Sequence, residues 1–220
     1  MYIDPAYADA GLDEVRRLVA DWPFATVIAA SPDLRVAHVP VQMRQDPVGL
    51  DELVGHVSAA DPIARSLRCG AEVLVCFLGP AVYVSPGWYA DKGLPTYNFT
   101  AVHVRGTATP LDDPAAVRAH LMSLVQDHER GRAEPWRADG WARARTTELL
   151  GGLQAFTVAI DSIEAKVKMS QNRTPGDRVG VMDALSERDD PGARTSLWLM
   201  SERFDRTGRN RKEVHDRGGA

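Results

Sequence analysis

The sequence predicts an α+β fold, a β-barrel with flanking helices, and three observations indicate it. Short runs rich in β-branched and aromatic residues occupy much of residues 24–111 and are separated by Gly and Pro. A helical period takes over in residues 112–150, and β-branched residues return in residues 153–169. Strands of this length with this punctuation favour a barrel over a sandwich. Strands that resume after helices favour one α+β domain.

The first predicted element is an amphipathic helix over residues 11–22. Its apolar residues recur at the spacing of one helix face, and Pro23 ends it. Two strands, residues 24–30 and 35–43, are predicted next, and a short turn joins them.

A third strand is expected at residues 53–58. Residues 61–70 then indicate a short helix, capped by Asp61 with Pro62 at its first position. Three β-rich runs follow, interrupted by Gly79-Pro80 and by a loop over residues 86–95. These runs cover residues 71–79, 81–86 and 96–111.

The second half of the chain begins with a long helix over residues 112–131, which has an Asp-Pro start and a glycine stop. A second helix is predicted over about residues 137–150, and a strand over residues 153–169. From residue 187 the sequence is charged and contains Gly. This composition favours a solvated or frayed tail over a nucleic-acid-binding arm.

Composition is that of an ordinary globular protein. The chain has 220 residues, 44% of them apolar and 25% charged, and a net charge of -4 gives no general attraction to nucleic acid. Cys69 and Cys76 have no second pair to complete a zinc site, so we interpret them as free buried thiols. No apolar run approaches the ~20 residues of a membrane span, and the first residues do not resemble a signal peptide. An intracellular protein is expected.

The most suggestive short stretch is residues 166–173, with the sequence KVKMSQNR. It combines three cations with three short polar side chains. If the preceding strand continued through it, Lys166, Lys168, Ser170 and Asn172 would share one face. The sequence therefore predicts a small anion-binding surface.

Aromatic residues and histidines leave two interpretations open. The aromatic residues of GPAVYVSPGWY (residues 79–89) and TYNF (residues 96–99) could stack on a planar ring, or could simply belong to the core. The six histidines form no close metal-binding pair, but a single imidazole suffices as an axial ligand of haem iron. A structural role is the alternative for each of them. No phosphate-loop, dinucleotide or nucleophile-elbow motif occurs.

Eight stretches in order resemble the PaiB family of FMN-binding split-barrel proteins, over roughly residues 1 to 185. They are MYI, FATV, AHVPV, GHVSAADP, GPAVYVSPGWY, LPTYNFTAVHVRG, HERGRAEPW and KVKMSQNR. The resemblance implies a homodimeric split β-barrel with its cofactor pocket at the subunit interface, in a cytoplasmic bacterial protein. It implies a split-barrel cofactor-binding domain over residues 1–186 and a charged C-terminal extension over residues 187–220.

Members of this family are commonly described as FMN-binding negative transcriptional regulators, and another branch contains haem-dependent piperazate synthases. The sequence departs from the regulator pattern at Ala81, at Tyr97, and in IARSL after GHVSAADP, where a tryptophan is missing. These departures favour the piperazate synthase branch. The predicted enzyme is thus a haem b-dependent lyase that converts L-N5-hydroxyornithine to L-piperazate with loss of water. The alternative is an FMN-binding PaiB-type negative transcriptional regulator, and only this alternative involves nucleic acid.

Site residues follow from the resemblance. His56 in GHVSAADP is the expected axial ligand of the haem iron, with His38 second and His103 third. Tyr97, His103 and Lys168 are candidates for the base that accepts the amine proton. The cations would pair with haem propionates, or with the FMN phosphate under the alternative. The expected cofactor-binding residues are Trp88, Tyr89, Lys166, Lys168, Gln171, Asn172 and Arg173.

Overall fold

The computed structural model describes the backbone of residues 1–216 and the side chains of residues 1–204. The chain divides into two compact units, each discontinuous in sequence. Residues 12–77 and 102–164 form one, here called the barrel unit. Residues 1–11, 78–101 and 165–220 form the other, here called the terminal unit. Three long strands each pass from one unit into the other. The domain boundary expected at residue 187 stays a prediction.

Six strands form a closed sheet in the order β1-β2-β3-β6-β5-β4. The predicted barrel is therefore confirmed. The strands are β1 (Phe24–Ala29), β2 (Arg35–Gln45), β3 (Asp51–Ser58), β4 (Glu72–Val84), β5 (Thr96–Leu111) and β6 (Leu153–Lys168).

The recorded strand pairs of the barrel are antiparallel. Val41 of β2 faces Gly55 of β3, and Gly55 in turn faces Phe156 of β6. Thr26 of β1 faces Cys76 of β4 across the pair that closes the sheet. Alternate residues of each strand point into the barrel, as the period of two requires. In β1 this alternation buries Ala25, Val27 and Ala29 completely.

Four helices accompany the strands of the barrel unit. They are α1 (Leu12–Asp21), α2 (Ala64–Arg68), α3 (Pro114–Glu129) and α4 (Gly140–Leu149). The first, third and fourth lie where the sequence predicts them. Asp113 and Asp139 cap α3 and α4 through backbone N–H groups, as an aspartate at this position usually does. The second helix is shorter than expected, and Asp61 instead accepts a hydrogen bond from the N–H of Ile63 just before it.

Two local expectations were wrong. Gly79-Pro80 does not interrupt the β-structure, because β4 runs without a break from Glu72 to Val84. The recorded pairing of β4 with β1 ends at Cys76, so on that side Pro80 replaces no ladder donor. Cys69 and Cys76 are free thiols as predicted, but neither is fully buried: Cys69 is exposed and Cys76 is partly buried.

The terminal unit contains two short 3-10 helices, Pro5–Tyr7 and Pro86–Trp88, and two helices that the sequence analysis did not anticipate. These are α5 (Pro175–Ser186) and α6 (Pro191–Asp216). Charged residues conceal their periodicity, but Val181, Leu185 and the α6 residues Ala193, Leu199 and Met200 are buried. The expected tail is therefore a packed helix over residues 191–204. The side chains of residues 205–220 lie outside the described residues. The expectation of a solvated tail is therefore not tested for these residues.

No described helix combines the length and the apolar composition that a bilayer crossing requires.

We predict that Gly106→Ala severely destabilises the protein. A β-carbon on Gly106 would lie 2.0 Å from the carbonyl oxygen of Ala159 and 2.7 Å from a methyl carbon of Val158. Because backbone cannot give way as a flexible side chain does, the expected loss in the free energy of unfolding is about 3 kcal/mol. Urea denaturation measures it. Gly151→Ala, where a β-carbon meets nothing within 4 Å, is the control. Equal unfolding midpoints for the two variants would contradict the close approach.

Candidate functional site

The stretch 166–173 changes conformation in its middle. Strand β6 ends at Lys168, one residue before its predicted end, so the condition under which Lys166, Lys168, Ser170 and Asn172 would share one strand face is not met. A turn follows, in which the N–H of Arg173 donates to the carbonyl oxygen of Ser170 at 3.0 Å. Ser170 has φ of 59°, a left-handed conformation that few residues other than Gly and Asn adopt. The turn brings Ser170, Asn172 and Arg173 together with Lys168.

These four residues line a cavity of about 150 Å³ in the terminal unit. That volume is below the range of about 300–1,000 Å³ typical for whole ligands, and it suits a single charged group. Two of the lining residues are cations, and none is a carboxylate. The lining residues are Tyr7, Tyr89, Leu94, Pro95, Thr96, Asn98, Lys168, Ser170, Asn172 and Arg173.

Lys168 is the more enclosed cation of the cavity. Its ammonium group donates a hydrogen bond to the hydroxyl of Thr96 and lies 5.7 Å from the ring centroid of Tyr7. Burial lowers the pKa of Lys168, and the neighbouring charges of Lys166 and Arg173 lower it further. An anion in the cavity would reverse this effect, because an opposite charge stabilises the ammonium form.

Arg173 is held against an aromatic ring. Its guanidinium lies 4.1 Å from the ring centroid of Tyr89. Gly93 allows this stack, since a β-carbon there would lie 2.4 Å from the Tyr89 ring and 3.0 Å from a guanidinium nitrogen of Arg173. The hydroxyl of Tyr89 is buried and has no hydrogen-bond partner among the described residues. A buried polar atom without a partner is unusual, and a bound ligand would satisfy it.

A pair of buried polar side chains supports the turn. Asn98 and Ser170 are 0% and 2% exposed, and their side chains hydrogen-bond each other at 3.0 and 3.1 Å. This pairing satisfies both groups and fixes Ser170 in its left-handed conformation. Sequence reasoning missed Tyr7, Thr96 and Asn98 as parts of the site. Their types carry no distinctive signal, although Thr96 and Asn98 alternate along one face of a predicted strand.

Lys166 lies beside the cavity and does not line it. Its ammonium group donates to the carbonyl oxygen of Tyr2 at 3.2 Å and lies 5.6–5.8 Å from three ring centroids. The rings are those of Tyr2, Tyr7 and Phe99. Cation–π contacts of this kind stabilise a charge that has no carboxylate nearby. Lys166 therefore adds positive potential to the site.

Three other predicted residues are in the terminal unit but do not line the cavity. Gln171 accepts a hydrogen bond from the N–H of Met169 and so stabilises the turn. The backbone of Trp88 packs on Gly180 of α5, where a β-carbon would lie 2.1 Å from its carbonyl oxygen. Tyr97, a candidate base, is 56% exposed and makes an edge contact with Tyr83.

The three candidate iron ligands belong to the barrel unit. His38 is exposed, and its Nδ1 lies 3.0 Å from the hydroxyl of Thr26. Burial lowers the pKa of His103. His56 is half-buried, and its Nδ1 lies 3.0 Å from Nε2 of His120. The described residues offer the other ring nitrogen of His56 no hydrogen-bond partner.

His120 is a functional candidate that sequence reasoning overlooked, because its partner is 64 residues away along the chain. It is completely buried in α3. Burial, His56 and Arg44 lower the pKa of His120 to about 4, and burial lowers the pKa of His56. Both imidazoles are therefore neutral near pH 7. Within the described residues no three His, Cys, Asp or Glu side chains are grouped to hold a bare metal ion.

Comparison with known families matches residues 1–162 to the family described as "Putative FMN-binding domain". The protease synthase and sporulation protein PAI 2 of Bacillus subtilis is 27% identical over 208 residues. The match covers 93% of this chain and 98% of that protein.

Two solved structures share the fold. The FAD- and haem-binding protein of Mycobacterium smegmatis has a TM-score of 0.53 and 24% identity, covering 72% of this chain and 71% of that chain. The flavocytochrome Anf3 of Azotobacter vinelandii has a TM-score of 0.54 and 16% identity, covering 84% and 73%. The predicted α+β split barrel with flanking helices is confirmed, and the homodimer stays a prediction.

We predict that Lys166→Met raises the pKa of Lys168 toward its ordinary value. The substitution removes a neighbouring positive charge, which disfavours the ammonium form of Lys168. An NMR titration of the side-chain carbons of Lys168 in lysine-labelled protein measures this change. Lys92→Met, at an exposed position of the terminal unit, is the control and should leave the titration unchanged. An identical pKa in the Lys166 variant would show that the two charges do not interact.

Proposed function

Because the chain belongs to the FMN-binding domain family, whose model matches residues 1–162, we propose that this protein binds flavin mononucleotide. The phosphate would occupy the cavity that Lys168 and Arg173 line. The observation that carries this proposal is that the cavity has two cations and no carboxylate. The family model ends before these residues, so their role rests on the geometry of the cavity.

The lining residues fit a phosphate group well. Arg173 offers a planar array of donors that matches phosphate oxygens, and Lys168 offers a compact positive charge. The hydroxyl of Thr96 and the amide of Asn172 supply further donors. The unpartnered hydroxyl of Tyr89 would gain an acceptor. A phosphate therefore satisfies both the charge and the buried polar atom.

The size of the cavity also indicates which part of the cofactor it would hold. About 150 Å³ accommodates a phosphate but not a tricyclic ring, so the ring would lie outside it. The flavin, when bound, supplies hydride or electron transfer. The chain's own residues bind and orient it through its phosphate end.

The biological role follows the resemblance to the PaiB type. Negative regulation of transcription, in a cytoplasmic homodimer, is the role that this resemblance implies. It stays a prediction.

Flavin binding can be tested by comparing FMN with riboflavin, which lacks only the phosphate. Fluorescence titration should give wild-type protein a clearly higher affinity for FMN. Arg173→Met should lower the FMN affinity at least about tenfold and leave riboflavin binding nearly unchanged, because a charge-assisted hydrogen bond contributes roughly 1.5–3 kcal/mol.

Arg65→Met is the matched control. Arg65 is an exposed arginine of the barrel unit, and its removal lowers the net charge equally. Equal affinities of the wild-type protein for FMN and riboflavin would contradict the phosphate site. So would an Arg173 variant that binds FMN as tightly as the wild type.

A second candidate function is supported by His56. This imidazole is neutral near pH 7, its Nδ1 is engaged by His120, and the described residues leave Nε2 without a partner. An axial ligand of haem has this arrangement, with one ring nitrogen held and the other available. The candidate enzyme is a haem b-dependent piperazate synthase.

The proposed reaction forms one N–N bond within L-N5-hydroxyornithine. The α-amine nitrogen attacks N5, the N5–OH bond breaks, and the hydroxyl leaves as water with a proton released by the amine. A haem iron held by His56 would supply Lewis acidity for this departure, without net oxidation or reduction. Of the candidate bases, His103 lies in the same unit as His56. Burial lowers the pKa of His103, which increases its neutral, proton-accepting fraction.

Hemin titration tests the haem candidate. Wild-type protein should develop a sharp Soret band, and His56→Ala should abolish it because the ligand is lost. His38→Ala removes an exposed imidazole bound to Thr26 and should keep the band. The loaded wild-type protein should convert L-N5-hydroxyornithine to a product lighter by one water. An unchanged spectrum in the His56 variant would reject the ligand assignment, and absence of product would reject the enzyme.

A further inference from the structure

Four side chains of the barrel unit form a continuous hydrogen-bonded chain. Nδ1 of His56 lies 3.0 Å from Nε2 of His120, and Nδ1 of His120 lies 3.1 Å from Oε1 of Gln42. Nε2 of Gln42 donates to a carboxylate oxygen of Asp127 at 2.6 Å. The chain thus runs from strand β3 through helix α3 and strand β2 to the exposed end of α3.

Asp127 determines which way the amide of Gln42 points. An ionised carboxylate can only accept hydrogen bonds, so the group facing it at 2.6 Å must be the NH₂ of Gln42. The same NH₂ group lies 3.2 Å from the hydroxyl of Ser123. The reversed amide would place two acceptors against each other. The amide oxygen of Gln42 therefore faces His120.

The orientation of Gln42 in turn determines the tautomer of His120. An amide oxygen can only accept, so Nδ1 of His120 carries the hydrogen. His120 is completely buried and its ring contacts no carboxylate, which keeps the imidazole neutral. Nε2 of His120 is then an acceptor. The hydrogen between the two histidines must come from Nδ1 of His56.

We propose that His120, Gln42 and Asp127 are positioning residues that hold His56 in its Nδ1–H tautomer and so present the Nε2 lone pair as a ligand for a metal centre. A histidine that donates through one nitrogen to a fixed acceptor is a stronger ligand through the other. The class of ligand that suits this atom is a transition-metal ion with an open position, haem iron included. The tautomer is independent of the flavin proposal. Its use for iron rests on the haem candidate.

NMR measures the tautomer directly in the full chain without added cofactor. Long-range ¹H–¹⁵N spectra of histidine-labelled protein near pH 7.5 distinguish protonated from unprotonated ring nitrogens, and His56→Gln assigns the signals. We expect Nδ1 of His56 to be protonated and Nε2 unprotonated. Protonation at Nε2 instead would overturn the proposal.

Gln42→Met tests whether the chain sets that tautomer. The substitution keeps the side-chain length but removes the acceptor for His120, so His120 can reverse its tautomer and donate to His56. We expect the Nε2–H form of His56 to become populated. Ser123→Ala removes only the secondary contact of Gln42 and should match the wild type. A Gln42 variant with an unchanged His56 would overturn the positioning role. Should this variant not fold, the wild-type spectrum still decides the tautomer.

A hemin titration of the same variants separates this proposal from the haem candidate. Loss of the positioning hydrogen bond should weaken hemin binding about tenfold in Gln42→Met relative to Ser123→Ala. Equal hemin affinities of the two variants would overturn the positioning role. A wild-type protein with the expected tautomer that binds no hemin would instead reject the haem candidate, with the tautomer assignment intact.

Discussion

Repulsion among three cations in eight consecutive positions is the constraint around which the candidate site is arranged. No carboxylate lines the cavity to offset these cations. Burial lowers the pKa of Lys168, and the charges of Lys166 and Arg173 lower it further. The structure compensates with aromatic faces and hydroxyls. Lys166 lies among three rings, Arg173 lies on Tyr89, and Lys168 donates to Thr96. These groups stabilise charge without neutralising it, so the site retains its attraction for an anion.

The barrel unit shows the opposite electrostatic solution. His56 and His120 are kept neutral by burial, and a chain of hydrogen bonds rather than a countercharge orders them. A neutral imidazole is a metal ligand, whereas a cationic cluster is a site for phosphate or carboxylate. The two units therefore carry two kinds of chemistry. A flavin phosphate would require only the cationic cluster of the terminal unit.

Strands were predicted more successfully than the helices of the C-terminal region, and the reason is physical. Along residues 102–109 buried and more exposed residues alternate, which is typical of a strand, and the observed β5 has the predicted bounds 96–111. In α6 the short apolar run 197–200, which includes the buried Leu199 and Met200, is flanked by charged and polar residues on both sides, so the helical period is not evident from the composition. The break predicted at Gly79-Pro80 was wrong for another reason. Proline interrupts a sheet where it replaces an N–H that would pair with a neighbouring strand, and the recorded pairing of β4 with β1 ends before it, at Cys76.

The sequence alone determined the strand pattern of the barrel and the presence of a cationic stretch at residues 166–173, because both depend on neighbours within a few positions. It also contained His56 in a recognisable motif. Only the tertiary structure decided that β6 ends at Lys168, that Asn98 supports Ser170 from 72 residues away, and that His120 and Gln42 orient His56. Hydrogen-bond partners that are so far apart in sequence meet only because of the path that the chain takes in three dimensions. Local periodicity reports on residues a few positions apart and does not predict that path.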